Sequence, residues 1–406
     1  MKDRRTLILL LAAVISGLLA FRGIQKEAFT FWTGLFFFLS LMFLLMLLMN
    51  WCFHLLGTSS EKRSKLRTSF FTTAIVLFLI ELALRQFGIY STHGERNGVA
   101  RYVPEYKFEN RDSWYYTYSP NSKINYQKTE FDHVREINSL GIPEKEIPFA
   151  KEEGEFRILA LGDSFTEGDG ASYEDTWIKK VEVALVNKIG DRKITTINAG
   201  VGGNDVVYEY RMLLDKLDDY QPDAIIVCVN NSDLDDLQIR GGDDRFQADG
   251  TVRIMEPISW EWLYGISYTV RLAIHASGYS LRLNREKLSP EQARILIKEK
   301  VLQMKAFADA AQAEFLTVVH PTMVDLEKDS YHDPQMDSLV HSLAHAKIPF
   351  LDLRPRFFAL GYGQERSLHE IYWPVNHHFN PKGYQLFSEY VVEKIDTLQW
   401  FESVEE

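Results

Sequence analysis

Between residues 28 and 60 the chain carries no aspartate, glutamate, lysine or arginine, and the middle of that 33-residue run is phenylalanine, leucine and methionine. A helix crosses the hydrocarbon core of a bilayer with about 20 apolar residues, so this run is long enough to span. Two shorter runs flank it. Residues 6–21 are uncharged between Arg5 and Arg22, and residues 69–80 are apolar and continue past Glu81 as Leu82-Ala83-Leu84. Residues 1–90 are therefore read as an α-helical membrane segment with about three transmembrane helices.

Charge sets its orientation. Residues 1–90 hold ten Lys/Arg against four Asp/Glu, a net +6, while the rest of the chain sums to −17. Lys62, Arg63, Lys65 and Arg67 lie between the second and third runs, and Lys2, Arg4 and Arg5 precede the first. Short loops rich in Lys and Arg stay cytoplasmic. The third helix is thus expected to run outward and to place everything after residue 90 on the extracytoplasmic side of a cell membrane. The first run also reads as a secretory signal peptide, although no A-x-A cleavage pattern stands out; both readings give one topology. Glu81 and Arg85 share a helix face. They read either as an interfacial pair whose ends reach water, or as a buried polar site for a lipid or acyl donor.

The acidic remainder argues against nucleic acid as a partner, because phosphate contacts need clustered Lys and Arg. Cys52 sits in an apolar run and Cys228 in a candidate buried strand, so no disulfide is expected between them. Residues 91–155 have no clear period and carry an aromatic patch of Trp114, Tyr115, Tyr116 and Tyr118. They are read as a linker packing on the domain that follows. From Phe156 onward, short apolar runs alternate with stretches of helical spacing. Strands are expected at 156–161, 193–197, 224–229, 315–319 and 350–353. Helices are expected at 176–189, 205–217, 290–313, 337–346 and 381–398. Such alternation predicts an α/β domain over 156–406, a parallel sheet with helices on both faces. Residues 234–289 are less regular and are read as an insertion near the site.

Ligands of such sheets bind beyond the carboxyl ends of the strands, and those loops carry the distinctive residues. The first strand ends in Gly162-Asp163-Ser164-Phe165-Thr166-Glu167-Gly168, which can expose a serine hydroxyl at the rim. It lacks the G-x-G-x-x-G and lysine of phosphate loops and the G-x-S-x-G of α/β-hydrolases. The second strand ends in Asn198-Ala199-Gly200-Val201-Gly202-Gly203-Asn204, and the third in Asn230-Asn231-Ser232-Asp233. Before the last helix comes His377-His378-Phe379-Asn380-Pro381-Lys382-Gly383-Tyr384.

In this order, at strand ends, these pieces resemble the SGNH (GDSL-type) hydrolases over roughly residues 131–395. Gly162–Gly168 looks like the family's first block, the run from Asn198 its second, and the His378 run its last. Asn138-Ser139-Leu140-Gly141 also looks like a feature of an extracytoplasmic branch. The resemblance implies a flavodoxin-like α/β fold and a serine esterase that passes through an acyl-enzyme. It implies Ser164 as nucleophile and His378 as its base, with His378 chosen over His377 by the family's spacing to Gly383. The backbone N–H groups of Ser164 and Gly203, with an asparagine side chain, would hold the oxyanion. No metal or organic cofactor is implied.

Two departures leave roles open. The family's third block normally reads G-x-N-D; here ungapped alignment puts Ser232 at the oxyanion asparagine, and a small shift lets Asn231, or else Asn230, serve. The family's acid precedes the histidine by two or three residues, where Asn376 and Val375 stand. Loss of the triad acid to asparagine costs a serine protease about 10⁴ in kcat. A Ser–His dyad oriented by Asn376, a different carboxylate such as Glu370, Asp352 or Asp163, or a non-catalytic glycan- or partner-binding module are all compatible with that. So is an O-acyltransferase. The expected partner is an acylated envelope glycan or lipid. His341 and His345 lack the glutamate of H-E-x-x-H. The aspartates at 233, 235, 236, 243 and 244 do not have EF-hand spacing, and His320 reads as a packed loop histidine.

Overall fold

The computed structural model describes residues 2–25, 31–57, 59–87, 117–190, 192–246, 260, 262–277, 287–328 and 330–401. It separates into two compact units, Met1–Lys107 with Arg253–Arg285, and Phe108–Val252 with Glu286–Glu406.

Helices α1 (Lys2–Gln25), α2 (Phe31–Leu55) and α3 (Ser60–Gln86) open the chain. Their windows Thr6–Gly23, Trp32–Phe53 and Ser60–Gln86 are each long and apolar enough to cross a membrane. Leu18, Leu44 and Ile75 lie exposed on their surfaces, an arrangement suited to a hydrocarbon solvent rather than water. Helices α1 and α2 are joined by Ser40, whose hydroxyl donates to the Ala13 carbonyl at 3.1 Å.

An antiparallel hairpin follows, β1 (Lys123–Gln127) and β2 (Asp132–Glu136). Its strands read Lys-Ile-Asn-Tyr-Gln and Asp-His-Val-Arg-Glu; the first alternates over only two apolar residues, and the second turns His133 and Arg135 inward and leaves Val134 exposed, which is why the sequence reads as linker there. Of the aromatic patch only Tyr118 is among the described residues. Next come β3 (Phe156–Leu161), α4 (Ser164–Glu167), α5 (Trp177–Ile189), β4 (Ile194–Asn198), α6 (Val206–Met212), β5 (Ala224–Val229) and α7 (Asn231–Arg240). Two short helices, α8 (Trp262–Ile266) and α9 (Tyr268–Ser277), precede α10 (Pro290–Ala310) and β6 (Glu314–Val319). The chain continues through α11 (Met323–Leu326), α12 (Pro334–His345), β7 (Phe350–Asp352), α13 (Arg354–Ala359) and α14 (Pro381–Thr397).

The second unit is built on a five-stranded parallel sheet of order β4-β3-β5-β6-β7. Strands β3 and β5 are buried along their whole length, as parallel strands covered on both faces are. Successive side chains point to opposite faces. Leu159, Leu161, Ile225, Val227 and Val229 thus join the core under α6, α10 and α12, while Ile158, Ala160, Ile226 and Cys228 join the core under α5 and α14. Trp177 is fully buried there, 4.9 Å from the Phe387 ring. Helix α10 starts at Ser289, which exchanges hydrogen bonds with Gln292 in a capping box, and α14 starts at Asn380, whose side chain accepts from the Lys382 and Gly383 N–H groups. From β3 the chain crosses to β4 on one side and then to β5 on the other. That reversal opens a crevice at the carboxyl ends of β3 and β5.

In the helical unit, α8 meets α2 through Trp262 and Phe37, ring centroids 5.0 Å apart. The Glu81 carboxylate of α3 accepts from the Tyr268 N–H (2.9 Å), the Thr269 N–H (2.8 Å) and the hydroxyls of Ser267 and Thr269 (both 2.9 Å). Arg85 donates to Glu81 at 3.1 Å and to the Ile266 carbonyl at 2.8 Å. The Glu81–Arg85 pair therefore grips the start of α9, a use neither reading of the sequence foresaw.

Candidate active site

Ser164 is the first residue of α4, directly after β3. Asp163 caps that single turn, accepting the Phe165 N–H at 2.8 Å. A one-turn helix has little stability of its own, so its neighbours hold it. The Glu167 carboxylate accepts hydrogen bonds from the Tyr118 hydroxyl (2.8 Å), the Gly202 N–H (2.5 Å) and the Tyr126 hydroxyl. Burial pushes the Glu167 carboxyl above its ordinary range, opposed by both tyrosines and Arg135. Arg135, itself buried, donates to the carbonyls of Glu167, Gly168 (3.3 Å) and Ala171 (2.7 Å). The hairpin thus fixes the turn that carries Ser164.

The Ser164 hydroxyl lies 2.6 Å from His378 Nε2. His378 closes a tight loop in which the Trp373 N–H donates to the His378 carbonyl and the His377 N–H to the Trp373 carbonyl, both at 2.9 Å. His377 has φ 66°, a left-handed conformation uncommon for a non-glycine residue. Glu130, between β1 and β2, accepts the N–H groups of Val375 (2.9 Å) and Asn376 (2.8 Å). The imidazole packs on the Phe165 ring, centroids 4.5 Å apart. Its Nδ1 lies 2.8 Å from Asn376 Oδ1, 3.2 Å from the Asn376 carbonyl and 3.8 Å from Asp169 Oδ2. Among the described residues only acceptors face Nδ1, so it carries the proton and leaves Nε2 to accept from the serine.

Across the crevice, Gly203 follows β4 with φ 78°. Asn231 opens α7, and its Nδ2 gives one N–H to Asp325 Oδ1 at 2.5 Å, leaving the second. Asn230 is buried behind it, with its amide donating to Asp163 Oδ2 at 2.9 Å and its oxygen capping α7 through the Ser232 N–H at 2.7 Å. The Ser232 hydroxyl also turns inward, 2.7 Å from Asn230 Oδ1 and 3.2 Å from Asp163 Oδ2. Ser164, His378, Gly203, Asn231 and Ser232 line one cleft of about 740 Å³.

Residues 160–386 match the GDSL-like lipase/acylhydrolase family. The chain belongs to that family. Among solved structures, a two-domain esterase active on acetylated mannans is 16% identical, with a TM-score of 0.37 over 61% of this chain and 50% of that one. An acetyl xylan esterase is 15% identical, with a TM-score of 0.36 over 60% of this chain and 99% of that one. A lipase/acylhydrolase from Enterococcus faecalis is 14% identical, with a TM-score of 0.36 over 60% and 96%. The chain spans about half the length of the two mannan-esterase structures it matches. A search of curated proteins found no match.

Within this GDSL-like domain the carboxylates considered from sequence are engaged elsewhere. Glu370 pairs with Arg366 and Lys382, each at 2.8 Å, because both cations lie on the same short turn and helix start; they hold its carboxyl below the usual range. Asp352 faces the Arg354 guanidinium at 2.8 Å. Asp163 supports the turn that carries Ser164 and holds Asn230, and no hydrogen bond joins it to His378 among the described residues. Asp169 was not singled out: it lies 209 positions before His378 and follows the first block rather than preceding the histidine. It lies in the turn after α4, between Gly168 and Gly170, whose φ angles are 88° and 89°. His320 is fully buried, and burial holds it below the usual imidazole range. Among the described residues no group of three or more His, Cys, Asp or Glu side chains is placed to hold a metal.

Proposed function

We propose that this protein is a membrane-anchored serine esterase that removes O-acyl groups from an envelope glycan on the extracytoplasmic side. The observation that carries the reading is the 2.6 Å contact between Ser164 Oγ and His378 Nε2 inside an open cleft. A hydroxyl so placed loses its proton to the imidazole as it attacks an ester carbonyl, and the imidazolium then protonates the departing alcohol. Water repeats the sequence on the acyl-Ser164 ester. The Ser164 and Gly203 N–H groups and the second Asn231 N–H are the donors assigned to the developing oxyanion, each worth roughly 100- to 1,000-fold.

The cleft supports the choice of alcohol. Asp235, Asp236, Gln238, Asp333 and Gln335 line it, and carboxylates and amides suit the many hydroxyls of a sugar better than a second hydrocarbon chain. Leu234, Met323 and Val324 add an apolar wall for a short acyl group. Three apolar helices and the Lys/Arg-rich stretch between the second and third support the anchored, outward-facing placement.

The test is turnover of p-nitrophenyl acetate and of acetylated oligosaccharides by the full chain in detergent, beside Ser164→Ala and His378→Ala. Activity lost in both variants is the expected result. Wild-type activity no higher than the variants removes the esterase reading. Acyl transfer to an added glycan in preference to water moves it to a transferase.

A further inference from the structure

We propose that Asp169 is the displaced acid of this site, a positioning residue that acts on His378 through the side-chain amide of Asn376; the proposal rests on the esterase reading. Asn376 Oδ1 accepts from Nδ1–H of His378 at 2.8 Å, and Asn376 Nδ2 donates to Asp169 Oδ2 at 3.4 Å. The amide therefore has its oxygen toward the histidine and its nitrogen toward the carboxylate, the one orientation that satisfies both. An amide alone fixes the imidazole tautomer but is neutral. When Ser164 attacks, its proton moves to Nε2 and the ring becomes a cation. Asp169 supplies the opposing charge from 3.8 Å. No proton moves onto Asp169.

The carboxylate is held there by contacts that do not involve His378. The Tyr384 hydroxyl donates to the Asp169 carbonyl at 3.0 Å, and Trp373 Nε1 donates to the Gly170 carbonyl at 2.7 Å. Asp169 Oδ1 is buried with no hydrogen-bond partner among the described residues. Keeping a buried carboxylate oxygen unpaired is costly, and a catalytic use of the other oxygen accounts for it. Other titratable groups at this end of the domain are engaged with other partners or resist protonation. Asp163 takes the Phe165 N–H and the Asn230 amide. Glu130 takes two backbone N–H groups. His320 and His133 are both held below the usual imidazole range, first by burial. Exposed His377 lies in the same loop and, among the described residues, forms no ion pair with Asp169.

The experiment compares the full chain in detergent with Asp169→Asn, Asn376→Asp and the double exchange Asp169→Asn/Asn376→Asp, using p-nitrophenyl acetate across pH 5–9 and thermal unfolding as a fold check. Asp169→Asn is expected to lower kcat about 10- to 100-fold with KM nearly unchanged, less than the loss of a directly bonded triad acid. It should also move the acid limb of kcat/KM to lower pH, since removal of an anion disfavours the imidazolium. Asn376→Asp alone should also lose activity, because it sets two carboxylates side by side. The double exchange moves the single carboxylate onto the histidine and should restore kcat to within about fivefold. A purely structural role would move neither the pH limb nor the exchange result. A folded Asp169→Asn with wild-type kcat and pH limb, or a double exchange no better than Asp169→Asn, overturns the proposal while the esterase reading stands. A wild type no more active than Ser164→Ala removes both.

Discussion

Trp373 donates its indole N–H to the carbonyl of Gly170 at 2.7 Å, tying the loop that carries His378 to the turn that follows Ser164. These segments are 203 positions apart in sequence, so the distance between Ser164 and His378 depends on contacts of this kind rather than on either loop alone. Gly170 makes the approach possible. A Cβ there would lie 2.6 Å from the indole, and φ is 89°. Gly170→Ala is therefore expected to cost about 2 kcal/mol or more and to lower kcat about tenfold or more. Gly190→Ala is the control: φ is 80° and a Cβ meets nothing within 4 Å, so it pays strain alone, about 1 kcal/mol. Thermal unfolding of the two variants separates the terms. Equal losses would show that the Trp373 contact does not hold the turn.

Glu130 holds the same loop from outside. Its two oxygens each accept one backbone N–H, those of Val375 and Asn376. Val375 is exposed, so its freed N–H finds water, and Glu130→Ala should change stability by about 1 kcal/mol or less. If His378 is the base proposed above, loosening its loop by a fraction of an ångström is felt in kcat, where a three- to tenfold fall is expected with KM unchanged. A fall in KM-dependent binding without a change in kcat would contradict this role.

Much of the sheet was legible because β3 and β5 are continuous apolar runs bounded by glycine or asparagine, and their ends differ from the expected ones by no residue. The loops after them were legible as a place for chemistry because of what parallel sheets do at their carboxyl ends. The β1–β2 hairpin was not. Its contacts with α4 come from half-buried Tyr126 and buried Arg135, which hydrogen-bond to Glu167, so no hydrophobic period marks them. Asp169 escaped for a related reason: its meaning comes from a fold-dependent contact with Asn376, and nothing local distinguishes it from a solvated turn aspartate. The short helices α8 and α9 fall in the stretch read as an insertion, and they belong to the unit that contains α1, α2 and α3.

Those helices yield a separate expectation. Four donors from Ser267, Tyr268 and Thr269 converge on the Glu81 carboxylate. Removing it leaves several polar groups without partners in an apolar setting, the costly case for a polar deletion. Glu81→Ala should therefore release α9. Arg271, which is 1% exposed, should then be cut by trypsin at least tenfold faster in detergent micelles. Glu81→Gln keeps two acceptor lone pairs and should fall between. Unchanged cleavage at Arg271 in Glu81→Ala would show that the carboxylate does not anchor this helix.

Asp236, on the wall of the cleft, gives a prediction in pH. Burial pushes its carboxyl up to about 6, opposed by Arg240 at 2.9 Å and reinforced by Asp205, Asp163 and Asp235. The unfolded chain titrates this group near 3.9. A raised acid favours folding when protonated, so its contribution is fully present below about pH 4 and is lost as pH rises through about 6. At pH 8 the charged form is thus a net cost. A two-unit shift corresponds to roughly 3 kcal/mol, and partial solvent screening reduces that to about 1 kcal/mol. Asp236→Asn is expected to raise the unfolding temperature by about 2–4 °C at pH 8 and to leave it unchanged at pH 4. A variant that is less stable than wild type at pH 8 would mean that the Arg240 pair outweighs burial.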